Sequence, residues 1–472
     1  MKPKLKVFDD FSKALLPHEA KYLQTLGNFQ EQEKQEIFRT LIHKSLHPEK
    51  ELSFNPAFDK RKYHYIKTWA EKKLLLRDVD QVAQWLLNFN KKLALDLVTS
   101  KEEKILIDYV RNYKTITFNF QILYQTMRDY RSYLLIRMRY EDHIVVSNFL
   151  ENYSDSYQRA KEIEEKLYQA TIEITDQFTR TKETVIYWEK WLKKVFEAET
   201  INGNNRYKAF ILLAFMYNTT GNLIELQAIF DQIDAFFSQG KLYCRRLLYN
   251  YYSSRVLLHS KQRNYEEAIY YGKLSLRQTN EDTLMYVNNL VSIYLRLDQP
   301  KLALNLLESY DSIYEKTQNS LQRIIYISYY LRALNELNLS TKAENIGIYF
   351  LQKYEPEILK LRWHHFFTSY LNVLYKNENY TAILQLDKKF NLAELENQRK
   401  NSDNFVPHLL WLISTASFLE NKISKEKYFR VLTESLNTLK INESNQYLLK
   451  NNAELLSKNL PDLKFFFKSH LT

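Results

Sequence analysis

Apolar residues recur at three- and four-residue spacing along most of the chain, and short polar stretches separate these runs. Within 206–395 the pattern repeats five times as an apolar helix, a polar turn and a second apolar helix. Three- and four-residue spacing places side chains on one face of an α-helix, whereas a half-buried strand requires strict alternation. The pattern therefore predicts an all-α protein built from helical hairpins.

The second helix of each copy carries a small or aliphatic residue at a matching place. Ala268, Ala303 and Ala343 occupy it in three copies, and Leu226 and Ile383 in the flanking ones. The steps between these positions are 42, 35, 40 and 40 residues. Because two helices approach closely where a side chain is small, we expect these positions to be buried where paired helices cross.

This hairpin pattern resembles the tetratricopeptide repeat over roughly 206–395. The match rests on small and aromatic residues in the first helix and on apolar residues in the second. The matching positions in two copies are Ala214, Tyr217, Gly221, Phe230, Tyr294, Ala303 and Leu307. The stretch "NYEEAI" at 264–269 is the best local match. The resemblance implies a right-handed stack of hairpins, a solenoid, that binds peptides or proteins on a concave face.

The rest of the chain is predicted to be helical as well. Residues 1–95 form an irregular N-terminal helical module, and 96–205 form longer helices that are open to interpretation as degenerate repeats. Residues 396–472 form a further hairpin and a helix that caps the last core face. The turn "INGNNR" at 201–206 suggests a boundary, and "ELENQRKNSDNF" at 394–405 is predicted to be a polar linker.

The composition agrees with long helices in a reducing compartment. The 472 residues include only 6 glycines and 8 prolines, and no proline lies between Pro56 and Pro300, so helices meet no forced break. The single Cys244 cannot form an internal disulfide. Neither a secretory signal nor an apolar run long enough to span a membrane is visible, so we expect a cytoplasmic location.

The positive charge raises the question of nucleic-acid binding. The net charge is +11, but basic and acidic residues interleave almost everywhere, which favours a diffuse charge. Three stretches at 59–69, 127–140 and 243–255 mix Arg and Lys with Tyr and leave base stacking with phosphate contact open. Some tetratricopeptide regulators carry an N-terminal DNA-binding module, and the basic helix at 59–77 keeps a transcriptional regulator or nucleic-acid-associated protein as the alternative.

Enzyme motifs are missing from the sequence. No Gly-rich phosphate loop, dinucleotide fingerprint or nucleophile elbow occurs among the dispersed glycines. His43 and His47 are spaced for one face of a helix, but Pro48 follows and no third ligand is in view, so no metal site is expected. A dispersed catalytic triad stays open. The sequence favours a non-enzymatic protein without a cofactor.

The resemblance also implies a peptide-binding groove along the first helix of each copy. The positions that it assigns to the groove are Asn250, Ser253, Lys261, Asn288, Asn289, Arg296, Ser328, Arg332, Asn335, Thr368, Asn372 and Lys376. The set is polar and contains no acid, so its amides can pair with a peptide backbone and its cations with a carboxylate. The leading interpretation is a scaffold or regulator that binds a peptide or protein. A solvated polar face is the other interpretation.

Overall fold

The protein is all-α, as the hydrophobic spacing predicts. The computed structural model describes residues 5–47, 50, 52–175, 182–400, 405–439, 441 and 443–470. No β-strand occurs within these ranges. The same ranges hold no helix that is both long and apolar enough to cross a lipid bilayer.

The chain divides into two compact units, one up to Gln278 and one from Thr279. The helices of the first unit are α1 (Lys6–Ala14), α2 (Pro17–Leu26), α3 (Gln32–Leu46), α4 (Lys60–Leu75), α5 (Val79–Ala94), α6 (Ser100–Arg111), α7 (Phe120–Ile136), α8 (Tyr140–Asn152), α9 (Ser154–Thr175), α10 (Lys182–Glu197), α11 (Gly203–Thr220), α12 (Leu223–Ser238), α13 (Arg245–Lys261) and α14 (Tyr265–Ser275). This division lies inside the range predicted to form repeats. The boundaries predicted near 95, 205 and 395 stay predictions.

In the first unit, the alternate helices from α5 to α13 pack against one another. Helices α5, α7, α9, α11 and α13 contact one another in that order, and α7, α9, α11 and α13 each also pack against a helix that precedes or follows them in the chain. Helices α1 to α4 form a separate cluster whose α2 packs on α12. Polar contacts join α2 to this region, since His18 Nε2 lies 2.7 Å from Asp234 and buried Glu19 forms an ion pair with Arg245 at 2.7 Å.

The second unit repeats the same order of contacts. Its helices are α15 (Thr283–Arg296), α16 (Pro300–Ser309), α17 (Asp311–Lys316), α18 (Ser320–Glu336), α19 (Ser340–Glu357), α20 (Trp363–Lys376), α21 (Tyr380–Phe390), α22 (Leu392–Asn397), α23 (His408–Leu419), α24 (Lys425–Asn437), α25 (Glu443–Asn459) and α26 (Asp462–His470). Helices α15, α18, α20 and α23 lie side by side in that order. Each of α16, α19 and α21 contacts the helix of that row that precedes it in the chain and the one that follows it. A π-helical segment, Ile358–Arg362, joins α19 to α20.

One turn geometry recurs between the two helices of a hairpin. A residue with left-handed backbone follows the first helix, at Asp96, Met138, Gly221, Arg263, Asp298, Asn338, Glu378 and Asn421. The amide of the next residue bonds a carbonyl five residues back, over 2.8 to 3.0 Å. This hydrogen bond is the Schellman termination of a helix. From Gly221 to Asn421 the steps are 42, 35, 40, 40 and 43 residues, so the turns follow the period of the sequence pattern.

The small residues of the second helices are buried, as predicted. Ala268, Ala303 and Ala343 are fully buried, and each lies five residues after the left-handed residue of its turn. Gly347, one turn beyond Ala343, lies directly against a ring of the next helix. An added Cβ at Gly347 would come within 2.4 Å of the Tyr370 ring. Helices α19 and α20 therefore approach each other across residues with little or no side chain.

Two predictions about connecting segments are wrong for part of their length. The stretch 201–206 is mostly helical because α11 begins at Gly203, and Asn202 before it is buried. The stretch 394–405 is not a linker throughout, because α22 extends to Asn397. Part of that stretch, 401–404, lies outside the described residues. Polar composition suggested a solvent-exposed connection at both places, but tertiary contacts bury some of these polar side chains.

Candidate functional site

The predicted groove residues of the second unit lie on three neighbouring helices. Asn288, Asn289 and Arg296 belong to α15, Ser328, Arg332 and Asn335 to α18, and Thr368, Asn372 and Lys376 to α20. Because α18 packs against both α15 and α20, the structure brings these three groups together. The remaining three, Asn250, Ser253 and Lys261, lie on α13 in the first unit.

Three of the predicted groove residues are buried and therefore cannot line an open surface. Ser253, Asn288 and Ser328 expose 1%, 3% and 0% of their surface. The hydroxyl of Ser328 donates to the carbonyl of Ile324 within its own helix. The amide nitrogen of Asn288 donates to the backbone and side-chain oxygens of Gln322 on α18. These positions are buried in the packing of the helices and are not open to the solvent.

The long cations of the predicted groove hydrogen-bond to the preceding first helix. Lys376 Nζ donates to the Asn335 carbonyl at 2.5 Å, and Arg332 Nη2 donates to the Leu295 carbonyl at 3.1 Å. In the first unit, Lys261 donates in the same way to the carbonyl of Asn218. Each acceptor lies three residues before the left-handed residue of its turn. These cations therefore interact with carbonyl groups at helix C-termini, where positive charge is favourable.

A polar stripe runs along each of the three helices of the second unit. Residues spaced by three and seven positions share one helix face. The stripes consist of Asn289, Ser292 and Arg296 on α15, of Tyr329, Arg332 and Glu336 on α18, and of His365, Thr368 and Asn372 on α20. Together with Lys376 we call them the polar face. All ten residues are partly or fully exposed.

Tyr329 lies at the centre of the polar face. Its ring meets that of His365 edge to face, with centroids 5.0 Å apart. Burial raises the pKa of Tyr329, and the positive charges of Arg332, Arg296 and Arg362 oppose this increase. Burial also lowers the pKa of His365 to about 4, so its imidazole is neutral at pH 7 and offers one donor and one acceptor.

The polar face contains buried polar atoms whose hydrogen-bonding capacity is not used within the chain. Among the described residues, no hydrogen-bond partner reaches His365 Nδ1, Thr368 Oγ1 or Asn372 Oδ1. A buried polar atom without a partner costs about 1–3 kcal/mol, so such atoms are rare and need an explanation. All three lie on the α20 stripe. The stripe thus presents spare donors and acceptors over about 10 Å of helix.

The electrostatic character of the polar face is mixed but mainly positive. Arg296, Arg332 and Lys376 supply cations, and Glu336 supplies the acid. Arg332 Nε and Glu336 Oε1 form an ion pair at 2.7 Å, which offsets one positive charge. Sequence reasoning had found Arg296, Arg332 and Lys376. Tyr329 and His365 are not among the groove positions that the resemblance assigns, so the sequence did not single them out.

The basic-aromatic stretches predicted as nucleic-acid candidates hold cations that interact mainly with acids of the chain. The ion pairs are Lys62 with Glu31 and Glu33, Lys67 with Glu71, Arg137 with Asp96, Arg139 with Glu103 and Asp142, Arg245 with Glu19, Arg246 with Asp80, and Arg255 with Asp231 and Asp234. Paired cations present less charge to a phosphate backbone than free ones. These contacts favour a structural role for the stretches.

The histidine pair near the N-terminus is close but incomplete as a metal site. The rings of His43 and His47 lie 4.8 Å apart between centroids. In the part of the chain that the structure describes, no group of three or more His, Cys, Asp or Glu side chains is placed to hold a metal ion.

No protein-family model matches the chain, and the comparisons with curated proteins and with solved structures also found no match. The resemblance to the tetratricopeptide repeat therefore rests on the sequence positions and hairpin contacts given above.

Proposed function

We propose that the protein is a non-enzymatic scaffold or regulator that binds an extended peptide segment of a partner protein on the polar face. The proposal includes the tetratricopeptide-like stacking of hairpins, and the contact order of α15, α18, α20 and α23 supports that stacking. A cytoplasmic location is part of the proposal, and the single buried thiol of Cys244 is compatible with it.

The spare polar atoms of α20 carry this proposal. His365 Nδ1, Thr368 Oγ1 and Asn372 Oδ1 lie on one stripe, and no partner reaches them within the described residues. An extended peptide presents a donor and an acceptor at every residue, spaced by roughly 3.3 Å. Because these atoms are buried while their residues are partly exposed, the side chains must rotate before a peptide strand along this stripe supplies hydrogen bonds to all three atoms.

The neighbouring stripes support a peptide rather than a small polar ligand. First helices that pack side by side are separated by about 8–10 Å, so three stripes span a width that several peptide residues fill. Arg296 and Lys376 lie at the exposed ends of their stripes and can attract acidic side chains. Arg332 and Glu336 form a pair that offers both charges to a polar segment.

A random peptide library displayed on phage tests the proposal with the full chain as bait. We expect enriched peptides to bind the unchanged protein, and the double variant Thr368→Ala with Asn372→Ala to lose at least about tenfold in affinity, equal to about 1.4 kcal/mol. The matched control is Thr341→Ala with Asn345→Ala, an exposed pair of the same types and spacing on α19.

Two results would overturn the proposal. The first is a library selection that enriches no peptide for the unchanged chain. The second is equal binding by the α20 variant and the α19 control, since the ligand would then lie elsewhere. Melting temperatures of both variants show whether a loss of binding is caused by unfolding of the protein.

A further inference from the structure

A polar cavity of about 560 Å³ lies in the first unit. Its walls come from α1, from the end of α3, from Leu52 and Ser53, and from Arg277 after α14. This volume is in the range of sites that hold small molecules. It is larger than one phosphate or carboxylate group requires, so an occupant would also have a further organic part.

Cations dominate the lining of this cavity. Lys13, Lys44, Lys50 and Arg277 face it, and among the lining residues that the structure describes the one carboxylate is that of Asp9. The positive charges of lysine and arginine side chains repel one another, so four of them around one described acid require a reason.

Asp9 accounts for the position of two of the four cations. Its Oδ2 lies 2.6 Å from Lys13 Nζ, and its Oδ1 lies 2.6 Å from Lys44 Nζ. The two ammonium groups lower the pKa of Asp9, which therefore stays ionised at pH 7. Lys44 is also held over the face of Phe54, at 4.8 Å from its centroid, and only 16% of its side chain is exposed. One carboxylate thus lies between two ammonium groups that it neutralises only in part.

A backbone carbonyl holds Arg277 at the cavity. Its Nη1 donates to the carbonyl of Leu15 at 3.1 Å, which fixes the guanidinium at the cavity wall. Within the described ranges, no carboxylate lies at ion-pair distance from Arg277. A guanidinium has five N–H donors in a planar fork that suits phosphate oxygens. The structural contact to Leu15 uses few of them.

We propose that this cavity binds a small molecule that carries a phosphomonoester, with its phosphate between Lys13, Lys44 and Arg277. A phosphomonoester has a charge of about −1.5 to −2 at pH 7, which matches the excess of cations better than a single carboxylate does. Leu52, which is 38% exposed, gives the cavity an apolar wall for the organic part. The phosphate replaces Asp9 as the partner of the two ammonium groups, so Asp9 competes with the ligand.

Calorimetric titration of the full chain with three probes at constant ionic strength tests this site. The probes are ribose 5-phosphate, inorganic phosphate and ribose. We expect ribose 5-phosphate to bind, inorganic phosphate to bind more weakly, and ribose to give no heat of binding. Absence of binding by both phosphate probes overturns the site. If inorganic phosphate binds as tightly as ribose 5-phosphate, the inference that the cavity also holds the organic part of the ligand is overturned.

Variants with opposite expected effects on affinity distinguish binding in this cavity from general attraction of the phosphate to a basic protein. Arg277→Gln and Lys13→Gln, both at exposed positions, should each weaken ribose 5-phosphate about tenfold. Asp9→Asn should tighten it by a similar factor, because the competing carboxylate is gone. Lys301→Gln, an exposed lysine on α16, should change nothing. Equal affinities of all four variants would show that phosphate does not bind here. Melting curves confirm that each variant is folded.

Discussion

The ammonium group of Lys376 donates a hydrogen bond of 2.5 Å to the backbone carbonyl of Asn335, near the C-terminal end of the neighbouring helix α18. Lys261 makes the equivalent bond to Asn218 between α13 and α11. In both cases the lysine lies two residues before the left-handed residue of its own turn. The acceptor lies three residues before the left-handed residue of the preceding hairpin's turn. A residue type that the sequence assigned to ligand binding thus also links successive first helices.

Lys376→Gln is expected to lower the free energy of unfolding by about 0.5–1 kcal/mol. The change removes a charged hydrogen bond, but the lysine is exposed, so its contribution is smaller than that of a buried one. Chemical denaturation followed by circular dichroism measures the difference. Lys301→Gln is the control, because Lys301 is exposed and forms no ion pair among the described residues. Equal stability of the two variants would contradict a structural role for Lys376.

Glu396→Gln is expected to destabilise the second unit by about 1.5–3 kcal/mol. Glu396 is 1% exposed, and its two carboxylate oxygens accept hydrogen bonds from the amides of Leu409 and Leu410 at 3.0 and 2.8 Å. It thereby caps the first turn of α23, where the helix dipole favours negative charge. Thermal unfolding provides the measurement. Glu394→Gln, at an exposed position on the same short helix, should have little effect.

The sequence predicts the helices and their pairing well, and it predicts individual side-chain environments less well. Spacing located the buried alanines at 268, 303 and 343, because a helix period is a local property. It did not distinguish Ser328, which faces a neighbouring helix, from Thr368 at the equivalent place, which is partly exposed. That difference depends on how adjacent hairpins approach. Likewise, polarity alone cannot separate a buried capping acid such as Glu396 from a linker residue.

Three of the eight recurring turns have a residue type that is uncommon in left-handed backbone, namely Met138, Arg263 and Glu378. Glu378 has φ of 58°. Left-handed backbone costs an ordinary residue about 1–2 kcal/mol, and glycine avoids that cost but is more flexible when unfolded. Glu378→Gly is therefore expected to raise stability by about 0.5–1 kcal/mol. Gly221→Ala, with φ of 73° in the wild type, should lower it by a similar amount. Denaturant midpoints measure both, and a loss of stability in Glu378→Gly would contradict this prediction.

Gly347→Ala is expected to lower stability by about 1–3 kcal/mol. The new methyl group would lie 2.4 Å from the Tyr370 ring, so α19 or the ring must move. A double-mutant cycle with Tyr370→Leu tests whether this contact is the cause. The methyl group should cost much less once the ring is absent. If the two changes are simply additive, the clash lies elsewhere.

His408 should make stability depend on pH in the acid range. It is 5% exposed, and burial lowers its pKa to about 4, with Glu396 and His364 as its charged or titratable neighbours. In the unfolded chain histidine titrates near 6.5, so that state takes up the proton first as pH falls. The stability contributed by His408 is therefore complete above about pH 6.5 and lost as the pH falls to about 4.

His408→Gln is expected to reduce this acid sensitivity. At pH 5 the wild type should have lost about 2 kcal/mol through this residue, and the variant should retain that part of its stability relative to neutral pH. Unfolding midpoints at pH 7, 6 and 5 provide the comparison. His43→Gln, at an exposed position on α3, controls for the loss of an imidazole. Parallel pH profiles of wild type and His408→Gln would contradict the assignment.

The lysine-to-carbonyl bonds between first helices have a direction along the chain. The later helix always donates and the earlier helix always accepts, at Lys376 and Asn335 as at Lys261 and Asn218. Deleting hairpins from the C-terminal side of such a pair removes the lysine and leaves the backbone carbonyl of the earlier helix without its donor. Deleting them from the N-terminal side merely frees an ammonium group that water solvates readily. Stepwise truncation should therefore lower stability more when hairpins are removed from the C-terminal side than when they are removed from the N-terminal side. The order in which the ends of the stack unfold then depends on the direction of the chain.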